Sequence, residues 1–299
     1  MGLKMEELIH IRNSVLPMIY LRRELFILRC YLSLLKRNFR KYFTVASFTY
    51  FLGASGIYRS AKPTYFFCRF VDDVTDGDRV LPKGYDSFQA FMDRMLQLLD
   101  HQGSKGLKGI ELVLADALRK LDKTAAPQII RTELKDFLQS MQVDYKRRTQ
   151  QLLLSQQAID QLYDQSFASV LHLAMLGFGT QLQRSDIQKL GVVQGKIYAL
   201  QDLEEDLSKG IFNVPEELVK AAGLSEKALM ANPSALMNHQ AFVQWQHAEL
   251  STCHDYIEHL YALEAGKKAK KIISVLVDPL AEYVDKLSKK VKLPAYSVK

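Results

Sequence analysis

Apolar residues recur at every third and fourth position through residues 87–99, 107–121, 129–143, 159–176 and 187–203. That period matches the turn of an α-helix, so each stretch is predicted to be an amphipathic helix with one face in a core. No comparable set of alternating apolar and polar residues argues for strands. Turn residues fall between the stretches, at Pro82-Lys-Gly84, Gln102-Gly-Ser-Lys-Gly106, Ala125-Ala-Pro127, Gly210 with Pro215, and Asn232-Pro-Ser234. Each gap is only a few residues long, too short for an interdomain linker. The pattern implies one all-α domain over residues 1–299, a bundle-like or orthogonal stack of about ten helices. Near the end, residues 266–292 interleave Lys267, Lys268, Lys270, Lys271, Lys286, Lys289, Lys290 and Lys292 with Ile272, Ile273, Val275, Leu276, Val277, Leu280, Val284 and Leu287. They read as a basic amphipathic helix with Pro279 as a candidate break. Such a helix either packs on the body with its lysines in water or makes peripheral contact with an anionic membrane.

Composition narrows this only in part. The 15 Gly and 8 Pro are about 8% of the 299 residues, below the roughly 12% of average chains, which counts against a fold of many short strands. Cys30, Cys68 and Cys253 lie far apart with no CxxC spacing, so neither a disulfide framework nor a structural zinc site is indicated. A reduced, cytoplasmic setting is the expectation. The first residues do not resemble a secretory signal, and no apolar run reaches the roughly 18–20 residues that span a bilayer. Forty Lys and Arg against 33 Asp and Glu give a formal charge of +7. That suits an anionic small substrate, an anionic lipid surface or nucleic acid, but the basic residues are dispersed and no recognition motif accompanies them, so nucleic acid is not expected.

Two acidic segments carry the candidate chemistry: Arg69-Phe-Val-Asp72-Asp73-Val-Thr-Asp76 and Gln201-Asp202-Leu-Glu-Glu205-Asp206. Each holds two aspartates four residues apart, which on a helix puts both carboxylates on one face, about 6 Å apart along the axis. With 19 Asp in the chain, about one such pair arises by chance, and Asp160 with Asp164 is read as that accident. The signal lies in two pairs about 130 residues apart. Each sits among apolar residues and near a cation, Arg69 in the first and Lys209 after the second. Paired carboxylates in apolar surroundings must be protonated or meet a counter-charge. Mg²⁺ commonly takes one or two carboxylates and completes its shell with phosphate oxygens and water, which is the chemistry that draws a diphosphate away as a leaving group. Spacing alone leaves two readings open, a metal–diphosphate site and solvated helix ends.

Taken as motifs, these residues resemble the squalene/phytoene synthase family, the head-to-head trans-prenyltransferases, over most of the chain from about residue 39 to 264. Tyr65-Phe-Phe-Cys68-Arg69-Phe-Val-Asp72-Asp73-Val-Thr-Asp76 is similar to the family's aromatic helix ending in Cys-Arg-x-x-Asp-Asp-x-x-Asp. Asp202-Leu-Glu-Glu205-Asp206, followed by Gly210 and Pro215 and preceded by Gly191, keeps the spacing of its second motif. Met141-Gln-Val-Asp144 resembles its Gly-Met-x-x-Asp segment, and Tyr163 with Phe167-Ala168 its Tyr-x-x-x-Val-Ala-Gly helix. There are departures. Arg40-Lys41-Tyr42-Phe43 keeps the cation and the Phe of a Ser-Lys/Arg-Ser-Phe element but neither serine. Gly195 stands for a usual Gln, Tyr198 for a metal-binding Asn, Gln201 for an Arg, and Ser169 and His172 for glycines.

The resemblance implies an isoprenoid-synthase-type helical bundle around a central hydrophobic cavity, with the two Asp-rich helices facing each other across its mouth. It implies Mg²⁺, three ions, held by Asp72, Asp76, Asp202 and Asp206, with Arg69 and Lys41 taking diphosphate charge. Phe43, Ala46, Phe66, Phe67, Ala168 and Leu171 are candidates for the lining of the tunnel, which ordinary core packing explains equally well. Tyr163 is either a catalytic phenol or a hydrogen-bonded core tyrosine, and Tyr198 is either a weak metal-side group or an aromatic face toward a carbocation. Asp73 is expected to point outward or to act behind the ligands, and His172 to be a satisfied core histidine. The implied activity is condensation of two prenyl diphosphates, farnesyl or geranylgeranyl, to a squalene-, dehydrosqualene- or phytoene-like product. The alternatives are a terpene synthase cyclising one substrate and a non-catalytic member serving in assembly or lipid binding. NADPH use stays open, since no dinucleotide fingerprint is present.

Overall fold

The structure is a computed structural model that describes residues 5–37, 49–50, 59–100, 106–180 and 182–291, with side chains from residue 19 onward except that of Lys268. The described residues are helical, without a β-strand; an isolated bridge joins Leu154 to Pro215. They fall into two compact units: Met1–Val74 with Arg79–Ile130, and Thr75–Asp78 with Arg131–Lys299.

The first unit contains α1 (Met5–Arg37), α2 (Ala61–Thr75), α3 (Phe88–Asp100) and α4 (Ile110–Leu121). Its core gathers Ile27 and Leu34 of α1, Phe66 and Phe67 of α2, Phe91 and Met95 of α3, and Val113 and Leu121 of α4. Charged groups buried there meet opposite charges, as burial demands. Arg23 of α1 bonds Asp116 of α4 at 2.7 Å, and Lys62 of α2 bonds Glu24 of α1 at 2.5 Å.

α5 (Pro127–Gln150) leads into the second unit, which continues with α6 (Gln156–Tyr163), a π-helical turn (Asp164–Ala168), α7 (Ser169–Gly177) and α8 (Arg184–Gln201). The helix expected over residues 159–176 is therefore interrupted by a π-turn, a feature that inserts one extra residue per turn and re-aims the side chains after it. α8 is the central helix, and two glycines let its neighbours approach. A Cβ at Gly191 would stand 2.3 Å from the Ala168 Cβ, and one at Gly195 would stand 2.4 Å from the Tyr163 ring. Lys196, buried on α8, bonds Glu249 at 2.5 Å and Asp160 at 2.8 Å, tying α8 to α6 and to the later helix that carries Glu249.

After α8 the chain breaks into short pieces: α9 (Leu203–Ser208), α10 (Glu216–Ala221), α11 (Glu226–Ala231) and α12 (Pro233–Met237), packed around Phe212, Leu229, Leu236 and Phe242. Periodicity does not resolve them because fewer than two turns show hardly one full period. α13 (Gln240–Ala262) and α14 (Lys267–Lys290) close the unit. α14 is not broken at Pro279: proline removes the bond to the carbonyl of Val275, and the exposure of Val275 leaves that turn to water. Its apolar face, Ile273, Val277, Leu280 and Val284, is buried against α8 and α13, while Lys270, Lys271, Lys286, Lys289 and Lys290 face outward, so that apolar face is not open to a bilayer. All three cysteines are buried free thiols, and no helix among the described residues is long and apolar enough to cross a membrane.

Candidate active site

The first acidic segment sits where α2 ends. α2 stops at Thr75, so Asp72 lies on the helix while Asp76 is exposed in the turn beyond it, before Gly77 at φ 76°. Arg148, on the last turn of α5, donates to the carbonyl of Thr75 and packs on Gly77, where any Cβ would meet its guanidinium at 2.8 Å. Asp72 is half-buried and bonds Arg69 at 2.6 Å. Asp73, expected to point outward or to act behind the ligands, is 1% exposed, so it does not point outward; three guanidinium groups receive it. Arg37 and Arg69 each approach within 2.7 Å and Arg79 within 3.7 Å. Arg69, a candidate for the diphosphate, thus spans Asp72 and Asp73. Lys41, Phe43 and Ala46 lie outside the described residues. Phe66 and Phe67 are buried in the core of the first unit, and Leu171 is partly buried against that of the second.

The second acidic segment sits at a helix break. α8 ends at Gln201, and Asp202 is the joint before α9, with φ −98° and ψ 7°. The helical link nevertheless persists: the Asp202 N–H donates to Tyr198 at 3.1 Å, and the Asp206 N–H donates to the Asp202 carbonyl at 2.8 Å. Asp202 is exposed in an open depression lined also by Gln201, Glu204, Glu205, Ser208 and Pro233. Asp206 is more enclosed. Burial, and then the neighbouring Asp202 charge, push its carboxyl up to about 6, against the pull of Arg147, Asn213 and Lys209. Lys209 pairs with Glu205 rather than Asp206.

Sequence reasoning missed what holds Asp206. The Asn213 amide donates to the Asp206 carboxylate at 2.6 Å, and Asn213 in turn accepts from buried Arg147. Arg147 also bonds Asp144 at 2.5 Å and donates to the carbonyl of Phe212 at 3.3 Å. A relay thus runs from Asp144, in a segment the motifs had singled out, through Arg147 and Asn213 to Asp206. Its signal was available in part: Asn213 is the one polar residue in the apolar run from Ile211 to Val214.

Tyr163 ends α6 with its ring on Gly195, and burial pushes its phenol up. Its hydroxyl has no hydrogen-bond partner among the described residues, so it is not the satisfied core tyrosine of the plainer reading. The Phe167 ring lies 6.3 Å from Tyr163 and 5.9 Å from Tyr198, an aromatic run one helical turn from Asp202. Tyr198 is half-exposed and its hydroxyl accepts from Gln194 at 3.3 Å. Ala168 is fully buried at the crossing with Gly191. His172 is satisfied in the core, with Nδ1 2.7 Å from Glu133 and Nε2 3.3 Å from the Leu182 carbonyl. Asp160 and Asp164 have separate structural partners, Lys196 and Arg184, which removes them as an acidic pair.

No three carboxylate, imidazole or thiolate groups converge among the described residues. Mg²⁺ does not require that, since phosphate oxygens and water complete its shell. Asp202 and Asp206 fit it on their own chemistry. They are hard oxygen donors, they repel each other, and burial together with that repulsion raises the Asp206 carboxyl against the pull of Arg147 and Lys209.

The squalene/phytoene synthase family model matches residues 58–291. The chain therefore belongs to the squalene/phytoene synthase family and is an enzyme of the prenyltransferase type, a family generally dependent on Mg²⁺. No curated protein matches the chain.

Proposed function

We propose that this chain is a Mg²⁺-dependent prenyltransferase that condenses two prenyl diphosphates, farnesyl or geranylgeranyl, head-to-head with release of diphosphate, and that residues 1–299 form one catalytic domain. The observation that carries the reading is the Asp202–Asp206 pair, whose more enclosed carboxyl, that of Asp206, is pushed up to about 6 by burial and by the neighbouring Asp202 charge. On this reading Asp202 and Asp206, and likewise Asp72 and Asp76, would hold Mg²⁺. The bound metal supplies the positive charge that stabilises diphosphate as the C1–O bond of the substrate breaks.

The chain's own residues do the rest. Asn213 and Arg147 fix the Asp206 carboxylate in place, so its charge is set before substrate arrives. The Tyr163 hydroxyl stays protonated because burial disfavours the phenolate, and a diphosphate oxygen would satisfy its orphaned donor. Phe167 and Tyr198 offer ring faces that stabilise an allylic cation without attacking it. The second substrate's alkene then captures that cation.

One observation favours a second reading, in which one prenyl diphosphate is ionised and cyclised. The Tyr163 ring fills the space at Gly195, where the family's usual Gln would stand, and Tyr198 replaces the family's metal-binding Asn. Both changes reduce polar capacity around one half of the site. Incubation with Mg²⁺ and farnesyl or geranylgeranyl diphosphate, read by mass spectrometry, separates the two. A C30 or C40 product is expected; a C15 or C20 hydrocarbon or alcohol selects the cyclase. If neither substrate releases diphosphate under any divalent metal, both readings fail.

A further inference from the structure

α1 lies ahead of residue 58, where the family match begins, and it is apolar on two sides. The inward side, Ile27, Cys30 and Leu34, is buried in the first unit. A second stripe runs along the outside: Leu21, Leu25, Leu28, Leu32 and Leu35, at alternating spacings of four and three that keep them in one line down the helix. Leu21 is 56% exposed, Leu25 44% and Leu32 54%, and Leu28 and Leu35 are part-exposed. Among the described residues outside α1, no two exposed large apolar residues lie within seven positions of each other along the chain, and isolated ones are ordinary. A line of five leucines on one helix face is not.

The charge beside this stripe identifies what covers it. Arg22, Arg29 and Lys36 recur every seventh residue along one edge, each one position after a leucine, and all three are exposed. Glu24 is the one acidic residue of α1 from residue 19 onward. It is turned to the opposite edge and held by Arg23 and Lys62. Tyr31 on that same edge is buried and stacked on Tyr50. A second copy of α1 laid along the leucines would bring three more cations to the seam and, among the side chains described from residue 19 onward, no available acid of α1 to meet them. A bilayer surface with anionic headgroups meets both demands: leucines enter the acyl boundary while long basic side chains reach back to phosphate.

We infer that the Leu21–Leu25–Leu28–Leu32–Leu35 face of α1, edged by Arg22, Arg29 and Lys36, docks this protein in the plane of an anionic lipid surface. The helix lies along the surface rather than through it, since no helix among the described residues meets the requirements for spanning. The membrane contact that the basic C-terminal segment suggested moves to the other end of the chain, because α14 has already spent its apolar face on α8 and α13.

The test is co-flotation of the full chain with phosphatidylcholine vesicles, with and without phosphatidylglycerol. Binding is expected only to the anionic vesicles and is expected to weaken with salt. Leu21→Gln/Leu25→Gln/Leu32→Gln changes only exposed side chains and should lower partitioning about tenfold or more. Arg22→Glu/Arg29→Glu/Lys36→Glu should lower it at least as much, about one decade or more. Lys270→Glu/Lys271→Glu/Lys286→Glu on α14 should bind like the parent. The inference is overturned if the parent stays out of the vesicle fraction, if either α1 variant floats undiminished, or if the α14 variant is the one that is lost. It is equally overturned if sedimentation shows a dimer that the leucine substitutions convert to monomer. No substrate enters this experiment, so its failure would leave the proposed reaction standing.

Discussion

The two acidic segments share a spacing and differ in how their charge is balanced. In the first, the protein supplies the cations itself: Arg37, Arg69 and Arg79 gather on buried Asp73, and Arg69 also reaches Asp72. In the second, the buried carboxylate of Asp206 receives a neutral amide from Asn213, with the nearest guanidinium, Arg147, one residue further back and already bonded to Asp144. The consequence is visible in the carboxyl of Asp206, pushed up to about 6 by burial and by Asp202. A charge that the fold neutralises is architecture, whereas a charge held short of compensation is available to a metal.

Breaking the compensated side should cost the most stability. Asp73→Asn leaves Arg37, Arg69 and Arg79 around a neutral side chain, and urea unfolding is expected to show a loss of about 3–5 kcal/mol. A loss below about 1 kcal/mol would mean that the arginine cluster is solvated rather than structural.

Gly195→Gln comes next. It restores the residue type the family usually carries, but its Cβ would lie 2.4 Å from the Tyr163 ring. The ring has to move, and the expected loss is about 1–3 kcal/mol, even though glycine is a poor helix former. Unchanged stability would show that Tyr163 is free to swing away.

The uncompensated side should respond in the opposite sense. The folded Asp206 carboxyl titrates near 6 and its ordinary value is 3.8, so the native state binds more protons than the unfolded chain in between. Stability from this group is therefore present below the ordinary value and is lost as pH rises through the folded one. Allowing for solvent screening, Asp206→Asn in EDTA should be more stable than the parent by about 1 kcal/mol at pH 7, with the gain fading toward pH 4. Added Mg²⁺ should raise the melting temperature of the parent and not of the variant. A parent more stable than Asp206→Asn at pH 7 in EDTA would invert the comparison. Smallest of all is Lys209→Ala: its pair with Glu205 is exposed, and the change should stay within about 0.5 kcal/mol.

What could be read from the chain followed the range of the forces involved. Helices α3, α4, α5 and α8 stand close to where apolar periodicity put them, because each is long enough to show several periods. The aspartates were legible as spacing, but their settings were not. That α2 stops at Thr75, that α8 breaks at Asp202 and that a π-turn follows Tyr163 depend on local hydrogen bonding that periodicity does not encode. The angle of Asp73 from Asp72 left it either outward or behind the ligands, and partners 36 residues upstream and six downstream make it a buried hub. The Asp144–Arg147–Asn213–Asp206 relay joins segments 66 residues apart, a contact made only by folding. Likewise, α14 read as amphipathic without showing which surface it covers, and only its packing shows that its apolar face lies on α8 and α13.

In the proposed reaction the Asp202–Asp206 pair would hold the metal that lets a prenyl diphosphate ionise. Diphosphate release from farnesyl or geranylgeranyl diphosphate, followed with Mg²⁺ and with EDTA in the parent and in Asp202→Asn/Asp206→Asn, tests it most directly. Release is expected only from the parent with Mg²⁺, with the variant about 10²–10³-fold slower while still folded. Release that continues in EDTA, or in the folded variant at the parent's rate, would contradict it.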